Sequence, residues 1–147
     1  MQRRWLLRPH RVASIMNKVH FELVSPESLL VSEEVDMVVV PGTEGDFGVL
    51  VGHAPVMTSV RPGVLEIHNE NVHTKRLFVS GGVCEVTSER CTVLAEESIA
   101  VEELDRVNLE ERLQNAREDI EISENESDRH RAEVSVPLFE ERLRVAN

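Results

Sequence analysis

From Val19 to about Ile99, apolar residues come in short runs or in alternation with polar ones, the period-two signature of β-strands that bury one face. His20-Phe21-Glu22-Leu23-Val24 alternates, Val35 to Val40 is nearly continuous β-branched chain, and Val64–Ile67, Leu77–Val79 and Val93–Ala95 add further segments. Turn signals separate them at Ser25-Pro26, Pro41-Gly42, Arg61-Pro62-Gly63, Asn69-Glu70-Asn71 and Gly81-Gly82. Short strands so evenly spaced, with no alternating helices, predict an antiparallel sandwich or barrel. Near Val101 the period changes. Leu109, Leu113, Ala116 and Ile120 fall at helical intervals among Glu110, Glu111, Arg112, Arg117 and Glu118, which predicts one amphipathic helix from about Leu104 to Ile122. A polar loop, Ser123 to Asp128, leads to a second helical segment that contains Pro137. Proline in a helix interior costs about 3 kcal/mol, so this segment is expected to break or kink near Ser135, with Ser135 capping a short helix from Val136 to Val145. The fold class is α+β: a leader over 1–15, a β-sandwich domain over 16–101 and a helical part over 102–147.

The run Gly42 to Pro55 holds four glycines, Gly42, Gly45, Gly48 and Gly52. Glycines this close fit no ordinary strand or helix and read as backbone corners or close approaches that shape a surface. They do not read as a phosphate cradle. The Lys-Ser/Thr ending of a P-loop and the strand-to-helix setting of a dinucleotide site are both missing, and Glu44 and Asp46 would repel phosphate.

Net charge is −11, although residues 1–15 carry Arg3, Arg4, Arg8 and Arg11 and no acid. An acidic body excludes nucleic acid as the expected partner. No apolar run approaches the roughly 20 residues of a membrane helix, so contact with a membrane is expected only through another protein. The Arg-rich leader reads as an organellar presequence, an upstream start or a tail, and Met16 is taken as the working start. Cys84 and Cys91 fall in a predicted hairpin, Val83 to Leu94, whose turn is centred on Ser88-Glu89. There Val86 faces Cys91 and Cys84 faces Val93, so the thiols are diagonal neighbours; they read as small apolar core residues rather than a disulfide or a metal site. His53 has no second His or Cys at metal spacing, and no metal or other cofactor is expected.

Taken in order, the Gly-rich run, Met57 to Ile67, Phe78 to Val86, Thr92 to Glu96 and Leu104-Asp105, with Leu143-Arg144-Val145 near the end, resemble the epsilon subunit of the bacterial F-type ATP synthase, the equivalent of the mitochondrial delta subunit. The resemblance is carried by sequence identity from about Met16 to Leu113. It implies a non-catalytic central-stalk subunit at the cytoplasmic face of the bacterial inner membrane. Its sandwich would pack on the gamma subunit and rest on the rotor-ring c subunits, its two helices would form a hairpin, and that hairpin would reach toward the alpha and beta subunits. A free-standing sandwich used as a protein-binding module is the alternative.

Residue by residue, the resemblance places Glu44 and Asp46 in the ring-facing loop and His53 beside the gamma subunit. Asp46 reads equally as a solvated turn acid, and His53 as a residue that bonds within its own loop. Relatives that bind ATP carry Ile or Leu, Asp, two variable residues, Arg and Ala; here Leu104 and Asp105 are kept and Asn108 replaces the arginine. Arg106, displaced by two positions, points about 200° away around a helix, so tight nucleotide binding is not expected and Asp105 reads as an acid suited to a helix N-terminus. Arg129, Arg131, Arg142 and Arg144 are candidates for an arm that inhibits ATP hydrolysis, and Pro137 with the early end of the chain predicts weak or no inhibition.

Overall fold

In the strand β1 (Val19–Val24), Val19, Phe21 and Leu23 are fully buried and the residues between them are half-buried. That alternation recurs in β3 (Met37–Gly42), β6 (Gly63–Asn69), β8 (Gly82–Val86) and β9 (Arg90–Ala95). Because the side-chain period is two, a one-residue slip would turn each of these faces inside out, so burial fixes the registers. The computed structural model describes residues 17–70 and 72–146, with Val72 and His73 described by backbone alone. The Arg-rich leader and Met16 lie outside the described residues.

The remaining strands are β2 (Leu29–Val35), β4 (Gly45–Val49), β5 (Val56–Val60), β7 (Val72–Val79) and β10 (Ser98–Ala100). They hydrogen-bond in the order β10-β7-β6-β3-β5-β8-β9-β1-β2, with β4 paired to β3 off this path. Val19, Phe21 and Leu23 of β1 share one buried cluster with Val38 and Val40 of β3, Leu65 and Ile67 of β6, and Cys84 and Val86 of β8. The two halves of the sheet therefore face each other across a single core, the sandwich expected. Among the described residues every pairing is antiparallel but one: β1 runs parallel to β9, with Phe21 beside Cys91 and Leu23 beside Val93. A parallel pair needs a long connection, and here β2 through β8 supply it.

One turn signal is displaced and one break is unannounced. Pro41 and Gly42 lie inside β3, opposite Asp46 and Gly45, and the chain turns beyond them at Thr43-Glu44. Gly42 is needed for a close approach, since a Cβ there would meet the Gly45 carbonyl oxygen at 2.9 Å and the Phe47 ring at 3.0 Å. The strands β2 and β3, one apolar stretch in the sequence, part at Asp36. Its carboxylate accepts from the Glu70 amide at 2.5 Å and pairs with Lys18 at 2.9 Å. The Lys18 contact holds the Asp36 carboxyl below the usual carboxylate range.

After a 3-10 turn at Val101–Glu103, helix α1 spans Arg106–Ile122 and helix α2 spans Glu126–Val145. Asp105 caps α1, its side chain accepting from the Asn108 amide, and Asn125 caps α2 in the same way through the Ser127 amide. Leu109, Leu113 and Ala116 meet Phe139 and Ala146, with Leu104, Val136 and Leu143 packed against them, in a cluster distinct from the sandwich core. The expected break at Ser135 is absent: α2 runs unbroken through Pro137. Ala132 before the proline and Phe139 after it are both buried, one heptad apart on one face. Packing on both sides of the proline thus offsets the lost hydrogen bond, and the carbonyl it strands belongs to the exposed Glu133. Ser135 caps nothing; its hydroxyl donates to the Arg131 carbonyl at 2.9 Å.

Candidate partner-binding surface

Registers across β5, β8, β9, β1 and β2 align Ser59, Val83, Leu94, Val24 and Leu29 in one row. Since Cys84, Val93 and Leu23 beside them are buried, this row lies on the outer face of the sheet. Val83, Leu94 and Leu29 are 39%, 50% and 57% exposed, so none of the described residues covers them. One row further along the same face lie Met57, Glu85, Thr92, Glu22 and Ser32. Met57 is exposed, and Glu22 is paired with Arg90 at 3.0 Å and with His20 at 3.0 Å. Glu34 takes the other imidazole nitrogen of His20 at 2.8 Å. An apolar row with a charged border is the anatomy of a protein interface.

Adjoining the Ser59 end of that row, where the Thr43 amide donates to the Ser59 carbonyl at 3.2 Å, Glu44 and Asp46 stand exposed on the hairpin that joins β3 to β4. Asp46 is already engaged: Arg61 donates to its Oδ1 at 2.5 Å and to the Gly42 carbonyl at 2.5 Å. Glu141 and Arg144 of α2 form their own pair beside this group, and they line the same cleft as Asp46, Arg61, Glu66 and Arg76. The Arg144 contact, with a smaller contribution from Arg61, holds the Glu141 carboxyl low. His53 is half-buried, sits 6.4 Å from the Phe47 ring centre, and bonds through Nδ1 to the Ala54 carbonyl at 2.6 Å. Its loop is tied to the β8–β9 turn by the Gly52 amide, which donates to the Ser88 carbonyl at 2.7 Å. Among the described residues no three His, Cys, Asp or Glu side chains are grouped to hold a metal.

The degenerate nucleotide motif has structural employment. Leu104 packs in the hairpin cluster, Asp105 caps α1, Asn108 is exposed, and Arg106 donates to the Leu143 and Ala146 carbonyls at the end of α2. The four arm arginines are also occupied. Arg129 bonds the Ser123 carbonyl at 2.6 Å, Arg131 lies 3.7 Å from Asp128, and Arg144 pairs with Glu141. Arg142 is only 8% exposed: it pairs with Glu97 at 2.6 Å and covers the Phe78 ring at 5.4 Å, clasping the hairpin to the sandwich. Sequence reasoning missed Glu97 and Phe78 as its partners. A signal existed, since Arg142 follows Phe139 by three residues and precedes Ala146 by four, which puts it on the buried face.

Residues 18–101 match the family described as ATP synthase, Delta/Epsilon chain, beta-sandwich domain. The chain belongs to this family. It is 47% identical over 132 residues to the ATP synthase epsilon chain of Rhodospirillum centenum, covering 86% of this chain and 90% of that one. Over 115 residues it is 52% identical to the epsilon chain of Paramagnetospirillum magneticum, covering 78% and 86%. Among solved structures it resembles a chain of the Euglena gracilis mitochondrial ATP synthase assembly of OSCP, F1 and c-ring, with TM-score 0.72, 27% identity and coverage of 84% and 78%. A central-stalk and c-ring structure from Tetrahymena thermophila, at TM-score 0.52 and 14% identity, shares the fold. The delta/epsilon membership makes this protein a non-catalytic subunit of ATP synthase, with the sandwich and two-helix architecture that its sequence predicts.

Proposed function

We propose that this epsilon-type subunit couples the gamma subunit to the rotor-ring c subunits at the cytoplasmic face of the bacterial inner membrane, so that ring torque turns the stalk instead of slipping. The outer apolar row Val83, Leu94, Val24 and Leu29, left open by the described residues at Val83, Leu94 and Leu29, carries the reading, as the place where gamma packs. Glu44 and Asp46 face basic loops of the ring, with His53 at the gamma side of its loop. None of the described helices is long and apolar enough to cross a membrane, so the subunit reaches the membrane through the complex.

Adding the chain from Met16 to membranes stripped of their own epsilon subunit should restore ATP-driven proton pumping. Leu94→Asp should weaken gamma binding by about 2 kcal/mol, roughly thirtyfold, and lose pumping, while Val134→Asp, on the exposed side of α2, should leave both intact. If wild-type chain restores nothing and fails to bind gamma, the sandwich serves as a free-standing module and the coupling role is wrong.

The hairpin is proposed to inhibit hydrolysis weakly or not at all. The unbroken α2 removes Pro137 as the reason, and support passes to the occupied state of Arg129, Arg131, Arg142 and Arg144, which would have to leave their partners before meeting the alpha and beta subunits. Deleting residues 124–147 should therefore change the ATPase rate of the reconstituted complex by less than about twofold. A severalfold rise would show that the arm does inhibit.

A further inference from the structure

We infer that Cys84 and Cys91 are a modification site, a buried dithiol that a peroxide-class oxidant converts to a reversible intramolecular disulfide. Both side chains are fully buried, with their sulfurs 3.8 Å apart on adjacent strands. The register sets Cys84 opposite Val93 and Cys91 opposite Val86, so the thiols touch along the diagonal rather than directly across the ladder. They are the only two cysteines of the chain, so no third thiol competes for either partner. A buried Cys surrounded by Val, Leu and Phe would pack as a small hydrophobe; placing two in sulfur contact adds a chemistry that a Val-Val or Ala-Val pair lacks.

The direct contact also differentiates the two. Hydrogen bonding to Cys84, reinforced by burial, pushes the Cys91 thiol up, while the same bond favours charge on Cys84. With Cys84 as the sulfur that ionises, it is the attacking one, and the same steps run with the two sulfurs exchanged. The Cys84 thiolate takes one peroxide oxygen, the O–O bond breaks and hydroxide leaves as water after protonation, giving a sulfenic acid. The Cys91 sulfur displaces that hydroxyl, its proton goes to the departing oxygen as a second water, and the S–S bond forms. Two thiols lose two electrons in total, and the peroxide accepts them. Diagonal neighbours sit about 7–8 Å apart at Cα, at or beyond the long end of disulfide spans, so β8 and β9 must draw together. A bond formed under that demand is easily reduced, the behaviour of a switch rather than a structural staple.

The test uses the full chain, folded and reduced, treated with hydrogen peroxide and then digested with trypsin without reductant. Cleavage after Arg76, Arg90 and Arg106 separates the cysteines into peptides 77–90 and 91–106. The expected result is that these two peptides stay linked, that the intact monomer loses two hydrogens in mass, and that dithiothreitol reverses both. Cys84→Ser should abolish the linkage and the mass loss. Free thiols, sulfonic acids or intermolecular dimers from the folded chain, under conditions where guanidinium-unfolded chain yields the linked peptides, would overturn the proposal. So would a rate of linkage that climbs steeply with urea below the unfolding transition, since the reaction would then belong to the unfolded chain.

Discussion

Replacing Gly82 by alanine should destabilise the sandwich by on the order of 3 kcal/mol, seen as a fall in the urea midpoint with the slope of the transition unchanged. Gly82 opens β8 at φ 151°, paired with Val60 on one side and Ala95 on the other. A Cβ built there falls on the carbonyl oxygen of Leu94. That atom is backbone in the neighbouring strand, so no side-chain rotation can relieve the collision and β8 would have to move away from β9. The adjacent Gly81 provides the comparison. It has φ 106° and its nearest prospective neighbour is the Val60 carbonyl at 3.2 Å, so Gly81→Ala should cost about 1–2 kcal/mol, the strain of the backbone conformation with little collision. Equal effects at the two positions would mean that the close approach at Gly82 is unimportant.

The second large effect concerns Arg142, the one buried charged residue among those described. Removing a partner from a buried ion pair costs about 3–5 kcal/mol when both members are inaccessible. Glu97 is 66% exposed on its side chain, which lets water reach the guanidinium once the carboxylate is gone. Glu97→Ala should therefore cost about 1–3 kcal/mol, concentrated in the hairpin. Hydrogen exchange should show it, with amides of α2 exchanging faster while those of β1 and β9 hold their rates. Arg142→Met is expected to be nearly neutral, because an apolar chain of similar reach can cover the Phe78 ring and the carboxylate left behind, Glu97, is exposed to water. The Nε of Arg142 already lacks a hydrogen-bond partner in its buried position, a cost that methionine would remove. If Arg142→Met proved as damaging as Glu97→Ala, the clasp would owe its strength to the charge itself and not to coverage of Phe78.

The sandwich was legible because period-two burial is written directly in segments such as Val19–Val24, and the β8–β9 register followed from the two-residue turn at Ser88-Glu89 alone. Helix α1 was legible for the same reason at period 3.6, its start differing from the expected one by two residues where Asp105 caps it. Two local rules misled. Pro41-Gly42 has turn chemistry yet lies in β3, because the close approach to Gly45 and Phe47 decides that site. Pro137 has breaker chemistry yet lies in α2, because Ala132 and Phe139 anchor the helix on both sides of it. The outer apolar row could not be read in advance: Val83, Leu94, Val24 and Leu29 become neighbours only through three successive strand pairings, one of them parallel. Arg142 likewise declares its role only once the hairpin is folded against the turn that carries Glu97.

The parallel pairing of β1 with β9 also bears on how the protein is made. The first strand of the domain finds that neighbour about seventy residues later in the chain, at Arg90–Leu94. Until then β1 has only β2 beside it, and an isolated two-stranded ribbon is marginal in water. Ribosomes add roughly 5–20 residues per second, so several seconds of translation separate the emergence of β1 from that of its partner. Through that interval Phe21 and Leu23 lack the strand whose Cys91 and Val93 complete their side of the core. The nascent chain is therefore at its most vulnerable to aggregation or chaperone capture just before Leu94 is synthesised, and the sandwich closes as a late, post-emergence event rather than strand by strand.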